Sequence, residues 1–230
     1  AFVVPDNPNM QSDIVINPST LTEEAEEGSK VVVRIVKWAQ SHSMSPEGEI
    51  TTYLGTEDSN DIAMKSILIN KGFNLSFPPE VLAENASIDT RITKEEIAKR
   101  RDMRGITTFT IDPLTAKDFD DALSIQLLDN GHHEIGIHIA DVSHYIQVGS
   151  ALDKEAAKRT TSVYLVDRVL PMLPENLSNG VCSLRPEEEK LTFSAIFELD
   201  RTGAIVSEWF GRTVIYSDRR FTYEEAQERI

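Results

Sequence analysis

Four aspartates fall within ten residues of this chain: Asp112, Asp118, Asp120 and Asp121, in the run IDPLTAKDFDDA. The one cation among them is Lys117. Carboxylates that converge repel one another, so they either retain protons or recruit a cation. Hard oxygen donors suit Mg²⁺ or Mn²⁺ rather than zinc. A carboxylate-held Mg²⁺ with open positions is equipped for phosphoryl-transfer chemistry. Two other readings stay open on residue types alone. One is a solvated acidic loop. The other is a calcium loop, although the glycine needed at its sixth position is absent, since counting from Asp118 that place is Leu123. The apolar run ALSI follows Asp121 at once and ties the cluster to a core.

The elements around the cluster read as β. ITTFTID is strand-like and ends on Asp112, and Pro113 stops the strand from simply continuing. The loop can then fold the later aspartates back towards Asp112. ALSIQLL and HEIGIHIADV flank Asp129-Asn130-Gly131, a hairpin turn. LTFSAIFEL (191–199) and AIVSEWFGRTVIY (204–216) flank a second hairpin at Asp200-Arg201-Thr202-Gly203. LDKEAAKR (152–159) is helical, and TYEEAQERI starts a helix at Thr222.

Upstream, residues 76–105 read as a helical connector. Pro78-Pro79 makes a good first turn, and Thr93 with Glu96 forms a capping box opening EEIAKRRDMR. Residues 1–75 carry the β-branched runs AFVV, DIVI, KVVVRIVKW and EITTYL between turn-rich segments, the pattern of a small barrel. A helix is expected over 56–72, capped by Thr56 and stopped at Gly72. The fold class expected is therefore α+β: a partial OB-type barrel at 1–75, the connector at 76–105, and a mixed domain at 106–230.

Composition narrows the function. With 40% hydrophobic and 27% charged residues the chain is globular rather than wholly disordered. No apolar run approaches the ~20 residues of a membrane span. The single cysteine, Cys182, excludes an internal disulfide and any zinc site built on cysteine pairs, and fits a reducing, cytoplasmic setting with no disulfide-linked partner. The net charge of −15 argues against nucleic acid on bare electrostatics. Bound divalent cations would reverse that argument at a carboxylate site.

The segments TIDPLTAKDFDDALS, GIHIADVSHYI, SVYLVDRVLPMLPENLSNGVCSL and LTFSAIFEL together resemble the catalytic (RNB) domain of the ribonuclease II/ribonuclease R family. AFVVPDN, DIVI and VVVRIVKW resemble the cold-shock-like domain ahead of it. The resemblance implies a processive 3′→5′ exoribonuclease that hydrolyses single-stranded RNA to nucleoside 5′-monophosphates. It also implies roles. Asp112 and Asp121 hold the principal Mg²⁺, Asp120 is tied to the chemical step, and Asp118 supports a second ion. Tyr164 packs against the terminal nucleotides, and Phe2 stacks bases on the barrel. The family's catalytic domain continues beyond its DRRFTYEEA-like segment, where it supplies an arginine to the scissile phosphate. The resemblance therefore implies a piece of a larger protein, lacking the first barrel strand and inactive by itself.

The remaining candidates read as structural. His138 alternates with apolar neighbours in a strand, and His144 is not needed where aspartates supply the site. His132 and His133 belong to a turn and are expected to face solvent. Cys182 is expected to be buried, and Arg185 to pair with Glu187 or Glu188. Two rivals to the exoribonuclease remain: a non-catalytic single-stranded RNA-binding fragment, and an acidic metal-binding or interaction domain.

Overall fold

The β-branched runs of the first 75 residues become four strands, β1 (Phe2–Val3), β2 (Ile14–Ile16), β3 (Lys30–Lys37) and β4 (Glu47–Gly55). The structure is a computed structural model that describes residues 1–10, 12–21, 26–41, 44–56 and 59–230. Among the described residues the four strands make an open sheet in the order β1-β2-β4-β3. β2 and β4 run parallel, and the other neighbours are antiparallel. The β3–β4 ladder shifts register at three places, and each bulge adds twist, so the ribbon coils. Gly48 is required there, because a Cβ would stand 2.5 Å from Val33 and 2.7 Å from Ile14.

Helix α1 (Asn60–Asn70) starts later than the sequence pattern indicates. Its cap is Ser59, not Thr56: Ser59 has extended backbone, and its hydroxyl accepts from Ile62 N at 3.4 Å. Residues 57–58 of the expected helix lie outside the described residues. Gly72, with φ +85, ends the helix as expected.

Residues 1–75 and 76–230 are separate compact units. The second unit is built on a seven-stranded sheet. In chain order its strands are β5 (Arg101–Asp102), β6 (Thr108–Asp112), β7 (Asp121–Leu127), β8 (His133–Ala140), β11 (Glu189–Leu199), β12 (Ile205–Tyr216) and β13 (Arg219–Thr222). Their spatial order is β13-β6-β7-β8-β11-β12-β5. The centre is antiparallel and follows the two hairpins, while both edge strands pair parallel with their neighbours. A separate two-stranded ribbon joins β9 (Val163–Tyr164) to β10 (Val169–Leu170). The helices are α2 (Pro79–Ser87), α3 (Lys94–Ile97), α4 (Val142–Tyr145), α5 (Ala151–Arg159) and α6 (Tyr223–Gln227). Leu152, Leu177, Leu184, Leu191, Val214 and Ile215 are among the fully buried side chains of the core.

The helical stretch 76–105 packs as part of this second unit. α2 lies against α5, and α3 stops after one turn because Arg100 and Arg101 are drawn into the sheet. The Arg100 guanidinium is buried. It contacts Asp141 Oδ2 at 2.8 Å, Glu96 Oε1 at 2.9 Å and the Thr192 and Thr213 carbonyls. Thr93 Oγ1 still accepts from Glu96 N, while the Glu96 carboxylate goes to Arg100 and Lys99. At the other end of the unit, Thr222 and Glu225 close a complete capping box on α6.

His138 is fully buried between two hydroxyls, with Ser194 Oγ 2.6 Å from Nδ1 and Ser124 Oγ 2.9 Å from Nε2. Burial, helped by Arg101, lowers its pKa to about 4. It is a neutral core residue. His132 is half-buried rather than solvent-facing, because its Nδ1 meets Glu198 Oε1 at 2.6 Å across the adjoining hairpin. Glu188 pairs with Lys190 at 2.7 Å and not with Arg185. Among the described residues no helix is long and apolar enough to cross a membrane.

Candidate active site

Asp112 is the last residue of β6, and Asp121 is the first of β7, the antiparallel neighbour of β6. Residues 113–120 form the loop between them. Pro113 turns the chain, its carbonyl accepting from Ala116 N at 2.9 Å. The far side of the loop is pinned by the CSL segment. Ser183 Oγ accepts from Phe119 N at 3.0 Å and donates to the Lys117 carbonyl at 3.1 Å. Leu184 N donates to the Phe119 carbonyl at 2.7 Å, and Ala140 N to the Asp120 carbonyl at 3.1 Å. Phe119 is buried, while Asp118 on one side of it is half-buried and Asp120 on the other is accessible.

The four carboxylates sense one another. Asp112 is half-buried, and its pKa is raised, first by burial and then by Asp121 and Asp118; Thr110 and Arg220 act against the rise. Its Oδ2 is buried with no hydrogen-bond partner. Asp120 is accessible, yet protein packed around its carboxylate raises its pKa, with Asp118, Asp121 and Asp112 adding to the effect. Among the described residues no three His, Cys, Asp or Glu side chains are gathered closely enough to form a finished metal centre. The aspartates are brought to one end of two neighbouring strands and coupled, but they are not clenched.

Tyr164 stands on the ribbon at the rim of this cluster. Its hydroxyl donates to Asp118 Oδ2 at 2.7 Å, which pushes the phenol up to about 12. The residue remains 64% exposed, which leaves its side chain accessible. Phe2 lies in the first unit, on β1 opposite Val15, and is 69% exposed. Cys182 is buried, and burial raises its thiol to about 12, which excludes a nucleophilic thiolate near neutral pH.

Two residues of this region carry no signal in the sequence reading. Ser183 is fully buried and bridges two main-chain groups of the aspartate loop. Arg220, on β13, donates from Nη2 to the carbonyls of Pro113 at 2.6 Å and Leu114 at 2.8 Å. β13 reaches them because it pairs parallel with β6, placing Thr222 beside Asp112. That pairing joins positions about a hundred residues apart and leaves no local trace. The SL and RR pairs that mark these residues lie inside segments whose family pattern is otherwise recognisable.

Against family models, residues 100–230 match the RNB domain and residues 2–78 the cold shock domain. The ribonuclease R of Thermotoga maritima is 42% identical over 229 residues, covering 99% of this chain and 32% of that protein. The DIS3-like exonuclease 2 of Schizosaccharomyces pombe is 45% identical over 197 residues, covering 85% of this chain and 21% of that protein. Among solved structures, Mycoplasma genitalium RNase R in complex with double-stranded RNA superposes with a TM-score of 0.84 at 27% identity, over 99% of this chain and 41% of that one. The chain thus spans a third or less of the length of these curated relatives.

Proposed function

The chain belongs to the RNB domain family, and on that premise we propose that it serves a processive 3′→5′ exoribonuclease. The enzyme would shorten single-stranded RNA from its 3′ end and release nucleoside 5′-monophosphates. The observation that carries this reading is the assembly of Asp112, Asp118, Asp120 and Asp121 at the adjoining ends of β6 and β7, beneath the exposed ring of Tyr164.

These residues suit a hard divalent cation, Mg²⁺ or Mn²⁺. All the donors are carboxylate oxygens, and the buried Asp112 Oδ2 has lone pairs that no protein group uses. Asp112 and Asp121 would hold the principal ion, with Asp118 and Asp120 completing the set. When bound, such an ion lowers the pKa of a water molecule and offsets charge on the phosphodiester. The chain's own groups do the positioning. Asp120 is an accessible residue on a loop fixed through its main chain, and its carboxylate would orient the attacking water. Asp118 is held by the Tyr164 hydroxyl. The Tyr164 ring stacks the terminal nucleotides whatever the base, since every base offers a π face. Phe2 offers the same service on the first unit.

The charge balance supports a cation here. A chain at −15 with four coupled carboxylates repels RNA phosphates until a dication intervenes. The absence of disulfide chemistry, with the lone thiol buried among the described residues, fits a cytoplasmic site of action. Binding of Mn²⁺ to the native state alone should raise the melting temperature in proportion to log concentration above Kd. The expected result is a rise with tenfold steps of Mn²⁺ that is absent in Asp112→Asn/Asp121→Asn. An equal rise in both proteins would remove these aspartates from metal binding.

A second reading, RNA binding without hydrolysis, is favoured by one observation: no three of the acidic groups are pre-gathered into a metal centre among the described residues. Incubation with 5′-labelled single-stranded RNA and Mg²⁺ separates the two, on the 230-residue chain and on the longest product of its gene. Release of mononucleotides with stepwise 3′ shortening supports the exoribonuclease. Intact RNA retarded on a gel supports the binder, and neither outcome defeats both.

A further inference from the structure

We infer that Arg220 is a positioning residue, a clasp that holds the aspartate-bearing loop in its working geometry before any ligand arrives; this rests on the reading of that loop as a metal and RNA site. Four like charges in ten residues push the loop open, so something must hold it shut. The main-chain ties at Lys117, Phe119 and Asp120 secure only its second half. Among the described residues, the first half is secured from outside by Arg220 Nη2, which donates to Pro113 O and Leu114 O.

The same guanidinium lies over the buried Phe119 ring, its carbon 5.0 Å from the centroid. One side chain thus touches both halves of the loop, with Asp118 between the two points of contact. The neighbouring Arg219 stacks on Phe221 instead, as strand alternation requires. Arginine suits this place because one terminal NH₂ serves both carbonyls while the planar guanidinium stacks its face on an aromatic ring. A lysine ammonium keeps the charge but lacks the plane. The contacts that Arg220 makes are to the loop, so the expected geometric effect on ion or RNA binding passes through the loop.

Charge and geometry predict opposite signs, which makes the inference testable. Removing a cation from beside four carboxylates should tighten divalent-cation binding if charge is all that matters. Removing a clasp should weaken it. The test compares wild type, Arg220→Met and Arg220→Lys by hydrogen exchange of residues 113–121, with residues 192–213 as an internal control, and by Mn²⁺ affinity from the free-ion electron paramagnetic resonance signal. The expected result is at least tenfold faster exchange at 113–121 in Arg220→Met with the control segment unchanged, an intermediate rate in Arg220→Lys, and severalfold weaker Mn²⁺ binding. Unchanged exchange overturns the inference. So does exchange that rises equally in both segments, which marks a merely structural residue, or Mn²⁺ binding that tightens. If the wild type binds no Mn²⁺ while exchange behaves as expected, the clasp stands and the metal reading of the proposed function falls.

Discussion

Asp120→Asn is expected to reduce mononucleotide release from single-stranded RNA about a thousandfold while RNA affinity stays equal or rises. The fold should tolerate the change. Asp120 serves the structure through its carbonyl, which accepts from Ala140 N, and its side chain is accessible. Asparagine keeps that shape and loses one charge. The loss weakens activation of the attacking water, and if roughly 4 kcal/mol of transition-state stabilisation goes with it, the rate falls about three orders of magnitude. The same lost charge relieves repulsion of the RNA phosphate, so ground-state binding does not suffer. A joint fall in turnover and affinity would instead indicate a collapsed loop. Turnover and RNA affinity should be measured for wild type and variant on the longest product of the gene. Near-normal turnover in the variant would remove Asp120 from the chemistry.

Most of the sheet was legible because its hairpins are local. Asp129-Asn130-Gly131 and Asp200-Arg201-Thr202-Gly203 each sit between two β-branched runs, and the structure closes both, with Gly131 and Gly203 at positive φ. The aspartate cluster was legible for the same reason, since all four residues lie on one connection. What escaped is what tertiary contact decides. The helical pattern from 94 onward runs on in sequence, yet burial of Arg100 against Asp141 ends it after one turn. Thr56 and Ser59 are both capping residue types, and the structure uses Ser59, whose hydroxyl accepts from Ile62 N. His132 reads as a turn residue until Glu198, on the neighbouring hairpin, is seen beside it. Arg220 and Ser183 are the instructive omissions. Neither residue type announces a site, and both act by holding main-chain groups rather than by presenting chemistry.

The core of the second unit carries its own pH signature. Lowering the pH from 7 to 4 is expected to cost about 3 kcal/mol through His138 alone. In the unfolded chain this histidine titrates near 6.5, whereas burial between Ser124 and Ser194 lowers it to about 4 in the native state. Between those values the unfolded state binds the proton and the native state does not. Stability therefore rises with pH across the window and is lost on acidification, at about 1.4 kcal/mol per pH unit. His144, also lowered by burial, acts in the same direction. Asp112 and Asp120 act oppositely. Their raised pKa values mean the native state takes up protons first, so acidification relieves their repulsion. Total stability against pH mixes these contributions, and a subtraction isolates one of them. His138→Gln offers both a donor and an acceptor to the two serine hydroxyls and cannot ionise. In the presence of a chelator, urea unfolding of wild type and His138→Gln should give stability curves that converge by roughly 3 kcal/mol as pH falls from 7 to 4. Parallel curves would mean that His138 takes up its proton alike in the folded and unfolded states, without the lowering that burial gives it. The buried Ser124–His138–Ser194 bridge across β7, β8 and β11 would then have to be redrawn around an imidazolium donating to both hydroxyls.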